Sequence, residues 1–351
     1  MIKYHLRNAI EWLLRRLPVS RAAYAQLSTL QKKVDALAES QTVPVPSFGG
    51  DDRSRKAEGS DGVIADRQNR PSNFDRSTLS LPAALLGGSN SMSLRGGLFS
   101  LTTDGPLGKA GDALLLPFDE AMLPSIVANN GWSLETLKFL ADTIDPDCSY
   151  VALDIGANIG LFTRQIALRF PNVKQIFCVE AEPGNFRCLQ YNIDAVLDGR
   201  ARLWNLALSD SDGMMEFYRD RGNFGNYSLN HDAMRAQPFD SVLVKTVGTG
   251  RWMRDNIQIA PGDKVIWKSD TQGYDELIIS LAPIELWNRV NIAIIELWRI
   301  RKPDFDQEAF RLRIDAFPNK FLGIGNDCTT NDILEYLRGD DYAYTDLYLW
   351  R

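Results

Sequence analysis

Histidine is almost missing from this 351-residue chain: His5 and His231 are the two it has, so acid–base work falls mainly to carboxylates and lysines. Its four cysteines, Cys148, Cys178, Cys188 and Cys328, show no Cys-x-x-Cys spacing, which argues against a zinc ribbon and a disulfide framework. Cys178 lies in an apolar run and reads as a small buried hydrophobe. Thiols used this way fit a reducing cytoplasm. No segment approaches the roughly 20 apolar residues a membrane span needs. Glu11, Arg15 and Arg16 also break the front end where a signal peptide would be uninterrupted. Positive charge in excess is lacking too: the net charge of −6 provides no general field for nucleic acid.

Charge is unevenly spread. Residues 1–40 hold seven Lys and Arg against three acids, so the front carries +4 and the remainder −10. In residues 2–17, Ile2, Leu6, Ile10, Leu13, Leu14 and Leu17 fall at helical spacing opposite Lys3, Arg7 and Arg15. Pro18 interrupts that helix, and Leu27, Leu30, Val34 and Leu37 then follow a short heptad-like seam. A basic amphipathic front suits a peripheral membrane or protein contact, or a helix packed on the body or on a second copy. Residues 41–90, with six Gly, four Pro, seven Ser and two aromatics, read as a flexible linker with too little apolar surface to order itself.

From about residue 91 to 351 strands and helices alternate. Apolar runs at 150–154, 175–180, 202–208, 264–270 and 290–297 read as buried parallel strands, with helices at 161–170 and 185–197 between them. This pattern predicts an α/β domain with a mostly parallel sheet covered on both faces. Ligands in such sheets bind outside the carboxyl ends of the strands.

The first run ends in Asp154-Ile155-Gly156-Ala157-Asn158-Ile159-Gly160 and leads straight into a helix. Gly156 permits a tight turn and close backbone approach, Asn158 tolerates a left-handed conformation, and Gly160 lets the helix pack closely against the strand. Asp154 supplies a carboxylate at the strand end. The Gly-x-Gly pair that cradles a pyrophosphate is missing, so a cationic nucleoside ligand fits better than a dinucleotide. The second run ends in Glu180, 20 residues beyond Gly160, where a carboxylate accepts hydrogen bonds from ribose hydroxyls.

In these stretches, and in Trp267-Lys268-Ser269-Asp270-Thr271-Gln272-Gly273-Tyr274-Asp275, the chain resembles the FkbM-type family of S-adenosylmethionine-dependent methyltransferases. The resemblance covers about residues 114–351. It departs at Ala181, where the family usually has Pro after the second-strand Glu, and at Asp275, where it usually has Glu. The resemblance implies a Rossmann-like class I methyltransferase fold with seven strands. It places Asp154, Gly156 and Asn158 around the methionine part of the cofactor and Glu180 on its ribose, with Ala157 and Gly160 in the same cofactor-binding turn. It implies methylation of a hydroxyl on a sugar, glycan or other natural product.

Transfer to a hydroxyl needs a base, or a metal that lowers its pKa. Asp270 is the first candidate, because it ends an apolar run and should project into the cleft. Lys268 lies two residues earlier on the same face, where it can tune Asp270 or orient an acceptor oxygen; a buried ion pair bracing the sheet is its plain alternative. His231 follows the Gly/Asn-rich stretch 223–230, a loop suited to covering a site, but a lone loop histidine can simply be exposed. Glu296, near the end of the fifth run, would pair with Asp270 to hold a divalent cation. Asn205 and residues 209–212 follow the third run, where adenine would lie. Trp204, Trp267, Trp287 and Trp298 read as core rather than as a sugar-stacking platform. Two other classes remain open: a nicotinamide-dependent oxidoreductase, which the missing Gly-x-Gly disfavours, and a non-catalytic scaffold retaining the fold.

Overall fold

The structure is a computed structural model that describes residues 98–351 apart from a few positions, preceded by the backbone of short strands at Val63–Ile64, Leu79–Leu81 and Met92–Arg95. The expected front helices of residues 1–40 lie outside the described residues, as does most of the expected linker 41–90. Two of the short strands fall within that linker span: Val63–Ile64 pairs with Leu203 and Arg202, and Leu79–Leu81 pairs with 92–94. Among the described residues no helix is long and apolar enough to cross a membrane.

Seven strands from residue 150 onward build the main sheet: β1 Tyr150–Ile155, β2 Val173–Glu180, β3 Ala201–Asn205, β4 Lys264–Ser269, β5 Val290–Trp298, β6 Asn319–Leu322 and β7 Tyr344–Trp350. Their order is β3-β2-β1-β4-β5-β7-β6, with Val63–Ile64 added outside β3. β7 alone of the seven runs antiparallel to β5, and β6 is antiparallel to β7. The switch from leftward to rightward strand order falls between β1 and β4, so the ligand crevice opens at their carboxyl ends. This is a Rossmann-like α/β fold.

Alternation along each strand separates two cores. Tyr150, Ala152, Ile176, Cys178, Ile266 and Ile292 face helices α1 Leu134–Thr143, α2 Leu161–Arg169 and α3 Pro183–Asp194 through Leu140, Ile166 and Leu189. Val151, Leu153, Phe177, Val265, Trp267 and Ala293 face helices α4 Thr249–Asn256, α5 Asp275–Leu281, α6 Gln307–Asp315 and α7 Thr330–Tyr336 through Met253, Ile278, Phe310 and Ile333. Strands buried on both faces explain the continuous apolar runs of the sequence.

The run at 202–208 is a correction. It is not one strand: β3 stops at Asn205, and Ala207–Ser209 leaves for a second sheet, where it pairs in parallel with 246–248 of strand Phe239–Gly248. That sheet, completed by Gly213–Asp220 and Tyr227–Ser228, lines one cavity together with the carboxyl ends of β1 and β2. A hairpin of Leu98–Gly105 and Gly108–Leu116 is fixed to the opposite flank by the fully buried Arg164 of α2. Its guanidinium donates to the carbonyls of Leu107, Ala113 and Asn192 and lies 3.6 Å from Asp112.

Candidate active site

The turn after β1 is built from left-handed residues: Gly156 at φ 73°, Asn158 at φ 53° and Gly160 at φ 86°. A Cβ on Gly156 would stand 2.0 Å from the Asp270 carbonyl oxygen, so glycine there is a condition for the β1 and β4 ends to meet. Gly160 works differently from expectation. Its missing Cβ makes room for Leu189 and Ile193 of α3, so it closes helix against helix rather than helix against strand. The Val179 carbonyl accepts from the N–H groups of both Gly156 and Ala157.

Glu180 ends β2 at 5% exposure. One carboxylate oxygen accepts the Asn158 N–H at 2.8 Å and the other the Glu182 N–H at 2.8 Å. Each oxygen retains a lone pair for a further donor. Burial pushes this carboxyl up to about 7, against the pull of those two backbone donors. Glu180, Gly156 and Asn158 line a small nest with Ala207, Leu208 and Phe224. Its open volume is about 60 Å³, because Phe224 and Gly225 cover it; the Phe224 carbonyl accepts from Asn158 Nδ2 at 3.3 Å and from Asn185 Nδ2 at 3.1 Å. The 223–230 loop thus covers the site as its composition suggests. A nucleoside would displace this cover.

Asn205 is a correction. Its Nδ2 donates to the carbonyls of Glu180 and Ala181, bracing the strand end that carries Glu180 instead of facing the nest. Residues 209–212 likewise serve α4: the Ser209 carbonyl accepts from Thr249 Oγ1 and Asp212 accepts from the Gly248 N–H. Leu206, Ala207 and Leu208 give the nest an apolar side.

Asp154 is fully buried beneath the turn rather than exposed around a ligand. It accepts from Thr163 Oγ1 at 2.5 Å, and Lys268 Nζ lies 3.3 Å from its other oxygen because Lys268 stands opposite it in the β1–β4 register. The ammonium also donates to the Gly156 carbonyl at 2.8 Å and sits 3.7 Å from Asp270. Burial alone would lower the Lys268 pKa, but Asp154 and Asp270 raise it, so the side chain stays charged. Lys268 therefore ties together the strand core, the cofactor turn and Asp270.

Asp270 follows β4 and lines both the nest and a neighbouring cleft of about 790 Å³. Gln272, held at φ 56° with its carbonyl accepting from Ser228 Oγ, donates through Nε2 to Asp270 and Glu296, each at 2.6 Å. The expected cation position between those two carboxylates is thus filled by an amide donor. Among the described residues no group of three or more His, Cys, Asp or Glu is arranged to hold a metal ion. Glu296 pairs across β5–β7 with Asp346 and accepts from the Trp298 indole N–H. Burial, then Asp270 and Asp346, pushes the Glu296 carboxyl well above the carboxylate range; burial and Asp270 push Asp346 up to about 6.

His231 is not part of the site. It is exposed on a short helical turn, His231–Met234, edge-on to Tyr218 at 5.0 Å and Phe239 at 5.2 Å. Trp204, Trp267 and Trp287 are core, but Trp298 lines the cleft and stacks on Tyr344 at 4.9 Å, correcting its reading as core alone. The functional positions that sequence reasoning passed over are Gln272, Asp346 and Asn226. Each had a signal that was not assigned a role: Asp346 is the acid within the aromatic alternation of residues 344–350, Gln272 lies inside the third motif and Asn226 inside the Gly/Asn-rich stretch 223–230.

No protein-family model and no curated protein matches the chain. Among solved structures, the chain is similar to the methyltransferase FkbM from Methylobacillus flagellatus, at 14% identity and a TM-score of 0.35, over 57% of this chain and 44% of that one. The match thus spans less than half the length of that protein. Phosphoethanolamine N-methyltransferase 2 from Haemonchus contortus, solved with S-adenosyl-L-methionine, matches at 11% identity and a TM-score of 0.27, over 59% and 36% of the two chains. TrmK from M. capricolum, solved with S-adenosylhomocysteine, matches at 12% identity and a TM-score of 0.29, over 61% and 66%. At these scores the strand order of the chain itself, not the overlap, defines its fold.

Proposed function

We propose that this protein is an S-adenosylmethionine-dependent methyltransferase acting on a hydroxyl group. The observation that carries the reading is the junction of two cavities at Asp270: a nest ending in the Glu180 carboxylate on one side and an open acidic cleft on the other. The donor set fits the cofactor. Glu180 has lone pairs for two ribose hydroxyls, the side at Leu206–Leu208 is apolar, and no cradle for a pyrophosphate follows β1. When bound, the cofactor supplies an activated methyl group.

The residues of the chain do the rest. Gly156 lets the backbone approach the ligand, and Asn158 holds the cover segment through the Phe224 carbonyl. Asp270 takes the proton from the acceptor hydroxyl, with Gln272 fixing one oxygen and Lys268 steadying the other. Transfer from an activated donor depends mostly on positioning, and this bracing supplies it. Sugars, glycans and other hydroxylated natural products are the acceptors this reading covers, in a cytoplasmic setting.

The test is calorimetric titration with S-adenosylmethionine, S-adenosylhomocysteine and NAD on the wild type and on Glu180→Ala. Micromolar binding of the two sulfur ligands, weakened tenfold or more by the substitution and absent for NAD, is the expected result. Binding of NAD alone would favour the oxidoreductase, and binding of none would leave the scaffold.

A further inference from the structure

The cleft beside Asp270 is unusual in what its wall offers. Asp270, Glu296 and Asp346 converge on it, and Lys268, the one lining cation among the described residues, is already committed to Asp154, Asp270 and the Gly156 carbonyl. Asn226 adds a separate observation from the opposite sheet. Its side chain is nine-tenths buried, its Nδ2 donates to Asp220, its buried Oδ1 has no hydrogen-bond partner among the described residues, and the residue lines the same cleft. Among the described residues the wall is therefore acidic, and its donors other than Lys268 are neutral. Tyr344, 64% exposed, is backed by the stacked Trp298 and offers an aromatic face beside the carboxylates.

We propose that this cleft is the acceptor subsite and that it selects a hydroxyl compound bearing an ammonium group, an amino sugar being the simplest chemistry that fits. The inference rests on the methyltransferase reading above. An ammonium supplies a charged donor to the lone pairs that the carboxylates retain, and it sits favourably over an aromatic face. It also relieves the repulsion among three crowded carboxylates, which a neutral polyol does not. A phosphorylated acceptor meets the opposite situation, with no arginine and no uncommitted lysine among the described residues of the wall to receive it.

The experiment uses the full chain saturated with S-adenosylhomocysteine and titrates matched pairs: glucosamine against glucose, and tyramine against tyrosol, with glucose 6-phosphate as the anionic control. Each amine is expected to bind at least tenfold more tightly than its neutral partner. Asp346→Asn and Tyr344→Leu should each shrink that preference threefold or more, and S-adenosylhomocysteine affinity, measured first, should stay within twofold. Using two variants separates loss of the subsite from misfolding, which circular dichroism checks. Equal binding within both pairs, binding of neither member of either pair, or preference for the phosphate overturns the proposal. Failure of the methyltransferase reading is distinguishable, because it appears earlier as absent S-adenosylhomocysteine binding.

Discussion

At Glu180 burial and hydrogen bonding pull in opposite directions, and burial wins, leaving the carboxyl at about 7. Ribose hydroxyls donate best to the ionised form. Because the pKa of the free protein is raised, a proton is held below about 7 and must leave before the ligand binds well. Affinity for S-adenosylhomocysteine should therefore fall by up to about tenfold for each pH unit below that point. Calorimetry between pH 5.5 and 8.5 checks this, and Glu180→Gln should flatten the profile while lowering affinity throughout. Asp270 makes a different prediction. Asp270→Asn keeps the shape but removes the proposed base, so turnover should drop on the order of 10²–10⁴-fold. Cofactor affinity should change less than threefold, a split that single-turnover kinetics and calorimetry measure separately.

Among the elements, the hairpin of residues 98–116 depends on a neighbouring helix for its position. Arg164→Met removes a buried guanidinium, takes the donor from the Leu107, Ala113 and Asn192 carbonyls, and removes the cation beside Asp112. A loss of about 3–5 kcal/mol is expected from breaking such a buried network, read as a lower urea midpoint and as faster proteolysis near residue 106. That dependence was invisible in the sequence, where Arg164 looks like any polar residue of an amphipathic helix. β1, β2, β4 and β5 were legible because strands buried on both faces leave uninterrupted apolar runs. The exit of residues 207–209 to a second sheet was not, since Leu206 keeps the run apolar through the bend. Asp154 and Glu180 were found by type and spacing, but their directions were not. Asp154 turns inward because Lys268 arrives opposite it from 114 residues away, a pairing only the β1–β4 register creates.

For the whole molecule, β7 matters more than its terminal position suggests. It lies between β5 and β6, and its Leu347 and Leu349 are fully buried, as is Phe310 beneath the same face. Ending the chain at Ala343 should strip β6 of its partner and expose that core, giving insoluble protein or one without a near-ultraviolet circular dichroism signal. The crossing of Gly156 under the Asp270 carbonyl has a thermodynamic consequence of its own. The two cavities share the backbone contact of Gly156 with Asp270, reinforced by the Asp270 N–H donating to the Ile155 carbonyl at 3.0 Å. Whatever one ligand does to that contact, the other must feel equally, so heterotropic coupling between donor and acceptor is reciprocal by necessity. Gly156→Ala, which wedges the contact open, should weaken both ligands and shrink the factor by which each improves the other's affinity toward one.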